Sequence, residues 1–136
     1  MIGAVVVTHG QLASELVNAA QTIVGELPQL VAVSMGWHDD PTAARDAIAN
    51  AIARVQGAEG VLVLTDMFGG TPSNLGLTFL ENNRIEIVTG VNLPMLLKLA
   101  HLQQSPDLLA VAREMREVGR NAIWVASDLL HAEVKA

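Results

Sequence analysis

The sequence predicts an α/β protein with a doubly wound, mostly parallel open sheet and helices on both faces. Short apolar, β-branched runs alternate with segments of helical periodicity along the chain. The runs are apolar throughout rather than at every second residue, which is typical of parallel strands that are buried on both faces. Strands that alternate with helices in this way form a parallel sheet with right-handed crossovers.

The first strand is predicted to end at a histidine. Residues 2–7 form an apolar run that stops at the corner Thr8-His9-Gly10, and a helix is predicted over residues 11–24. The apolar stripe of this helix comprises Leu12, Leu16, Ala19 and Ile23. His9 is therefore expected at the carboxyl end of a buried strand and beside a helix amino terminus, where open α/β sheets place ligands.

The second unit has the clearest helix start in the chain. A strand over residues 30–35, expected at a sheet edge, is followed by Asp40-Pro41. Aspartate suits the cap of a helix and proline suits its first position. An apolar stripe then comprises Ala44, Ile48, Ala51, Ile52 and Val55.

Two further units follow. Strands are predicted over residues 60–65 and 85–89, with helices from Pro72 to about residue 82 and over residues 93–101.

The end of the chain is predicted to add a helix and a last strand. The helix follows Asp107 and ends near Gly119, with an inward stripe of Leu108, Leu109, Ala112, Met115 and Val118. Residues 122–126 are predicted to form a final strand. Because a polar tail rather than a covering helix comes next, this strand is expected at the sheet edge.

The composition predicts one soluble domain over residues 1–136. Hydrophobic residues make up 51% of the chain, yet no run approaches the roughly 18 apolar residues of a membrane span. The chain has no cysteine, which excludes thiolate chemistry and fits a cytoplasmic protein. Its net charge of −6, without a cluster of Lys or Arg, argues against a nucleic-acid partner.

A histidine in the position of His9 has three chemical uses. Neutral imidazole can bind a metal, act as a general base, or attack an electrophile and carry a phosphoryl group. The alternative is a purely structural role, in which the histidine is only the polar residue at which the strand ends.

The loop after the third strand, residues 66–74, forms a second group of candidate site residues. Gly69 and Gly70 let the backbone approach a ligand closely, and Thr71 is expected to cap the next helix. Since the first and third strands are expected to be neighbours, Asp66 and His9 are predicted to face each other. The carboxylate would then accept a hydrogen bond from one ring nitrogen and leave the other nitrogen to react.

These two motifs and a third, residues 90–96, together resemble the IIA domain of the mannose family of the bacterial sugar phosphotransferase system. The resemblance spans nearly the whole chain and keeps the order and spacing of the motifs. It implies that His9 is phosphorylated at Nε2 by phospho-HPr and that Asp66 orients Nδ1. Thr71 matches a hydroxyl residue at the phosphate site, and Phe68 matches an aromatic residue that packs against protein partners. Met67 stands where some members carry a hydroxyl.

The resemblance also implies a mechanism and partners. The phosphoryl group would pass from phospho-HPr to His9 and then to a IIB protein, with its charge stabilised by backbone N–H groups. The phosphate-binding residues expected on this basis are Gly10, Phe68, Gly69, Gly70 and Thr71. No metal or other cofactor is required by this scheme, and contact with the membrane would be only indirect, through other components of the system. The resemblance implies a homodimer in which the last strand lies along the partner's sheet.

Two alternatives remain open from the sequence. The protein could be a stand-alone regulatory phosphoprotein whose phosphorylation state at His9 signals to other proteins without sugar transport. Alternatively, His38 could join His9 and Asp66 in a metal site, although loop histidines usually lie at the surface. His101 and His131 are expected to be structural or surface residues, and Asn92 is expected to cap a helix.

Overall fold

The computed structural model describes residues 1–36 and 40–135, the last five of these by their backbone alone. In this part of the chain, four strands alternate with four helices, and two further helices follow. Their order is β1 (Gly3–His9), α1 (Leu12–Val24), β2 (Leu30–Met35), α2 (Pro41–Val55), β3 (Val61–Thr65), α3 (Thr71–Leu77), β4 (Ile85–Thr89), α4 (Leu93–Leu102), α5 (Leu108–Asn121) and α6 (Ala126–Lys135).

The sheet is parallel throughout and has the strand order β2-β1-β3-β4. The predicted parallel sheet is confirmed, as are the expected neighbours of β1 and the edge position of β2. In the register, His9 lies beside Met35, and Thr65 lies beside Thr89. The carboxyl ends of all four strands therefore meet at one edge of the sheet, to which β1 contributes His9.

Helices cover both faces, as predicted. One core cluster contains side chains of α1, α4 and α5, packed against alternate residues of the strands such as Val6 and Leu64. A second cluster contains side chains of α2 packed against the other strand residues, such as Val5 and Val63. Leu75 of α3 is partly buried and packs against this cluster. Because both faces are covered, the central strands β1 and β3 are almost completely buried.

The helix α2 forms as the sequence predicts. Asp40 is its cap and accepts a hydrogen bond from the N–H of Ala43 at 3.3 Å, while Pro41 is its first residue. The whole predicted stripe is buried: Ala44, Ile48, Ala51, Ile52 and Val55. The apolar pattern predicted the buried face correctly because only one face of the helix is strongly apolar.

The orientation predicted for α1 is wrong. Its buried residues are Ala13, Val17 and Ala20, whereas Leu12 and Ile23 are exposed. Both sets recur at helical spacing, so periodicity alone could not decide which set faces the sheet. The small side chains are the ones that pack against it.

Two other helices differ in detail from the prediction. The inward face of α5 is shifted, because Val111 and Gly119 are buried and Leu109 is exposed. The helix α3 ends at Leu77 rather than near residue 82, and a turn with hydrogen bonds to the carbonyls of Leu75 and Gly76 follows it.

The strand predicted over residues 122–126 is wrong for the single chain. Residues 123–125 have no regular secondary structure, and α6 begins at Ala126. The N–H of Ile123 bonds to the carbonyl of Arg120, and the N–H of Asp128 bonds to the carbonyl of Val125. A strand needs a neighbour to satisfy its backbone, and among the residues described none pairs with this segment.

Candidate functional site

The candidate site lies at the carboxyl edge of the sheet, as the sequence predicts. His9 is the last residue of β1, and Asp66 directly follows β3. Since β1 and β3 are paired neighbours, the two residues are brought together although they are 57 positions apart in the chain. The His9 side chain is 27% exposed and that of Asp66 is 12% exposed, so the pair is shielded but can be reached from solvent.

One carboxylate oxygen holds His9 at two points. Asp66 Oδ2 accepts a hydrogen bond from the backbone N–H of His9 at 2.9 Å and lies 2.7 Å from its Nδ1. The other oxygen, Oδ1, accepts a hydrogen bond from the N–H of Met67 at 2.9 Å. The carboxylate therefore fixes both the end of β1 and the plane of the imidazole.

These contacts set the charge state of Asp66. Burial, the largest single effect, raises its pKa, but the backbone and side-chain hydrogen bonds from His9, the charge of His9 and the N–H of Met67 together outweigh it. The pKa of Asp66 consequently lies below its ordinary value. An ionised carboxylate can only accept hydrogen bonds, so Nδ1 must carry a hydrogen, and in the neutral imidazole the lone pair is then on Nε2.

The loop of residues 66–70 lies against the imidazole. A Cβ atom at Gly70 would come within 2.8 Å of Cε1 of His9, so only glycine allows this approach. Gly69 has a φ of +89°, a value that also favours glycine. Among the described residues, the N–H groups of Phe68, Gly69, Gly70 and Thr71 have no hydrogen-bond partner. They are available donors in the loop whose Gly70 packs against His9.

The structure shows how the amide of Gly10 is used and corrects the capping role expected of Thr71. The N–H of Gly10 donates to the carbonyl of Met35 at 2.7 Å, so this amide already has a partner on the neighbouring strand, and phosphate binding at Gly10 stays a prediction. Its φ of +55° shows its role, which is to turn the chain from β1 towards α1. Thr71 is the first residue of α3 and not its cap; the cap position is Gly70. Thr71 is exposed beside the loop.

Thr8 is a contributor that the sequence reasoning missed. Its buried hydroxyl accepts a hydrogen bond from the N–H of Ala13 at 2.6 Å and lies 3.2 Å from the carbonyl of His9. It thereby satisfies an amide in the first turn of α1 and ties that turn to the strand end. In the sequence, only the position of this threonine directly before His9 could have indicated the contact.

Two of the other singled-out residues, Asn92 and His101, lie at the two ends of α4. Asn92 caps α4 as predicted, accepting from the N–H of Met95, and its Nδ2 donates to the carbonyl of Gly119 at 3.1 Å. His101 is exposed at the end of α4. His38 lies outside the described residues, as does the side chain of His131.

Within the described ranges, 1–36 and 40–135, no group of three or more His, Cys, Asp or Glu residues is arranged to hold a metal ion. In the same ranges no helix is long and apolar enough to cross a membrane.

Comparison with known proteins identifies the family. A family model, EIIA-man, described as the PTS system fructose IIA component, matches residues 3–115. This chain belongs to the EIIA-man family. EIIA-man proteins are IIA components of phosphotransferase systems, and the resemblance inferred from the three strand-end motifs is thereby confirmed.

Individual relatives agree with this assignment. The EIIA-man chain is 28% identical over 131 residues to the fructose-specific EIIA component of Bacillus subtilis, covering 96% of this chain and 90% of that protein. It is 29% identical over 132 residues to the mannose-specific EIIAB component of Escherichia coli, where the match covers 90% of this chain but only 39% of the longer protein. The mannose/sorbose-specific IIA subunit from Enterococcus faecalis has a similar structure, with a TM-score of 0.80, 27% identity and coverage of 90% and 92% of the two chains.

We predict that Gly70→Ala displaces the imidazole of His9. The added methyl group would lie 2.8 Å from Cε1, so the ring or the loop must move, at a cost of about 1–3 kcal/mol of stability. The displacement should weaken the bond between Nδ1 and Asp66, which imidazole NMR detects through the Nδ1–H resonance. Gly76→Ala is the matched control, because its Cβ would meet its neighbours at ordinary distances of 3.6–3.9 Å. An unchanged Nδ1–H signal in Gly70→Ala would contradict the packing described here.

We predict that Asp66→Asn lowers the free energy of unfolding at pH 7 by about 1–2 kcal/mol, because an amide cannot accept all three of the hydrogen bonds that the carboxylate accepts. Since the pKa of Asp66 is lowered in the folded chain, this contribution is fully present above about pH 5 and is lost as the pH falls towards the folded pKa. Urea denaturation at several pH values measures it, with Asp46→Asn, an exposed change on α2, as the control. A difference between wild type and Asp66→Asn that does not shrink at low pH would refute the assignment.

Proposed function

We propose that this EIIA-man protein is a phosphocarrier, which accepts a phosphoryl group on Nε2 of His9 from phospho-HPr and passes it to a IIB component of a sugar phosphotransferase system. The observation that carries the proposal is the 2.7 Å contact between Nδ1 of His9 and Asp66. This contact favours a hydrogen on Nδ1, which leaves the lone pair of the neutral ring on Nε2. Membership of a family of IIA components supports the same chemistry.

The transfer step is a displacement between two histidines. The lone pair of Nε2 forms a new N–P bond while the donor's N–P bond breaks, and the donor imidazole departs with those electrons. The ring of His9 becomes positively charged as the phosphoryl group arrives. Asp66 stabilises that charge through the Nδ1 hydrogen bond, and it needs no proton transfer to do so.

The phosphoryl oxygens need donors of their own. The N–H groups from Phe68 to Thr71 fit this role, because they belong to the loop whose Gly70 packs against the ring and they have no hydrogen-bond partner among the described residues. The charge of the transferred group is spread over three oxygens, so several fixed donors suit it better than one. The second transfer, to a IIB protein, is the same displacement with His9 as the leaving group.

We also propose that the protein forms a homodimer through the segment 122–125. Its apolar side chains Ile123, Trp124 and Val125 are exposed, Trp124 by 62%. The outer edge of β4 faces a groove of about 500 Å³, bordered by α5. Among the described strands β4 pairs only with β3, so its free edge suits an extended segment of a second chain.

We predict that His9→Ala abolishes phosphorylation and leaves the fold intact, because the variant loses the nucleophile while His9 is only partly buried. The measurement is intact mass after incubation with phosphoenolpyruvate, enzyme I and HPr. The matched control is His101→Ala, which removes an exposed histidine of α4 and should be labelled like wild type. The label should be labile to acid and stable to alkali. An unlabelled wild-type protein in the presence of charged HPr would refute the proposed function.

We predict that wild-type protein sediments at twice the mass of the chain and that Trp124→Ser shifts it towards the monomer, since the exposed apolar segment would be buried between chains. Leu80→Ser, which removes a leucine that is 53% exposed elsewhere, should leave the mass unchanged. A monomeric wild-type protein at micromolar concentration would exclude the dimer.

A further inference from the structure

Two buried hydroxyl groups at the carboxyl edge of the sheet have no hydrogen-bond partner among the described residues. They are Oγ1 of Thr65, the last residue of β3, and Oγ of Ser73, in the first turn of α3. Both residues are fully buried. A buried hydroxyl that bonds to nothing has lost its hydration without compensation, so two such groups in one region require an explanation.

The two hydroxyls lie between the same two elements. The side chain of Thr65 faces α3, because a Cβ atom at Gly76 would be 3.6 Å from its Cγ2. Ser73 precedes Gly76 by three residues, so the two residues are on one side of the helix, and both are buried. The layer between α3 and the end of β3 therefore contains both hydroxyls.

At the end of β1, the corresponding hydroxyl has a direct partner. Thr8 precedes His9 there, just as Thr65 precedes Asp66 at the end of β3. The Thr8 hydroxyl accepts a hydrogen bond from the N–H of Ala13 at 2.6 Å and so ties α1 directly to its strand. Thr65 makes no such direct bond to α3.

Ser73 does not use the usual local partner of a helical hydroxyl. Such a group can donate to a carbonyl three or four residues back, as Thr78 does to the carbonyl of Leu75 at 2.6 Å. The carbonyl four residues before Ser73 is that of Gly69, which lies 3.5 Å from Nδ2 of Asn74. The N–H of Ser73 also has no partner within the described ranges.

The packing of α3 on β3 leaves room for a small polar molecule. A Cβ atom at Gly76 would meet the side chains of Thr65, Val63 and Ile87 only at ordinary distances of 3.6–3.9 Å. A methyl group therefore fits between the helix and the strand, and a water molecule is of similar size. A site that offers two to four polar partners binds an ordered water, whereas an apolar void stays dry.

We propose that one buried water molecule bridges Oγ1 of Thr65 and Oγ of Ser73 and thereby links α3 to the end of β3. Each hydroxyl can both donate and accept, so the water can bond to the two of them at once. The two residues flank the loop that carries Asp66 and Gly70, and the bridge ties the two ends of this loop together. The inference concerns the support of the loop and does not depend on the proposed phosphocarrier function.

A crystal structure of the wild-type protein tests for the water directly. A solvent peak should lie within about 2.6–3.2 Å of both hydroxyl oxygens. It should be absent from the double variant Thr65→Val/Ser73→Ala. If no peak lies between the two oxygens of the wild type, at a resolution that shows other ordered waters, the proposal is overturned.

Thermal denaturation tests the energetics of the bridge. Thr65→Val and Ser73→Ala each remove one partner of the water, so each should lower the midpoint by about 3–5 °C. The double variant should lose clearly less than the sum of the two shifts, because both hydroxyls act through one water. Thr42→Val, the same change at an exposed residue of α2, is the control and should stay within about 2 °C of wild type.

The sign of the shift distinguishes the alternatives. If the hydroxyls have no partner in solution, an apolar replacement removes a desolvated polar atom, and the midpoint should rise or stay unchanged in the single variants. That result would refute the water site. Fully additive losses in the double variant would show that the hydroxyls act separately and would exclude a shared water. None of these measurements uses phosphorylation, so the water site and the phosphocarrier function can each fail without the other.

Discussion

The hydrogen bonds that Asp66 Oδ2 makes with the main chain and the ring of His9 are the constraint on which the site depends. They form because β1 and β3 are adjacent and parallel, so that the two strand ends lie at one edge with little freedom of register. A slip of one residue in either strand would turn its side chains to the other face of the sheet. The apolar core on both faces, which opposes such a slip, therefore also sets the geometry of the imidazole.

Much of the fold could be predicted because its sequence signals were local and pointed to a single arrangement. Asp40-Pro41 marked the start of α2, and its single apolar face left one orientation open. The strands β2 and β4 were bounded by polar corners and appear at the predicted residues. The pairing of His9 with Asp66 also followed, since neighbouring parallel strands bring their carboxyl ends to a common edge.

The rest could not be read from local pattern. In α1, two apolar stripes compete, and the choice between them depends on how closely the helix approaches the sheet, which is a tertiary property. The segment 122–125 is apolar like a strand, but a strand exists only with a neighbour to bond to. The use of the Gly10 amide by Met35 depends on the neighbouring strand, which the sequence near Gly10 does not reveal. These three differences arise from packing between elements and not from misread propensities.

The close approach of Gly70 to Cε1 of His9 has a chemical consequence. A backbone packed against Cε1, together with the carboxylate bonded to Nδ1, opposes rotation of the ring, so Nε2 stays the nitrogen that Asp66 does not hold. A freely rotating histidine can yield two phosphohistidine isomers, which differ in stability and in the acceptors they suit. Under the proposed function, the packing of Gly70 and the bond to Asp66 would together favour a single isomer, which both the donor and the acceptor protein would have to accommodate.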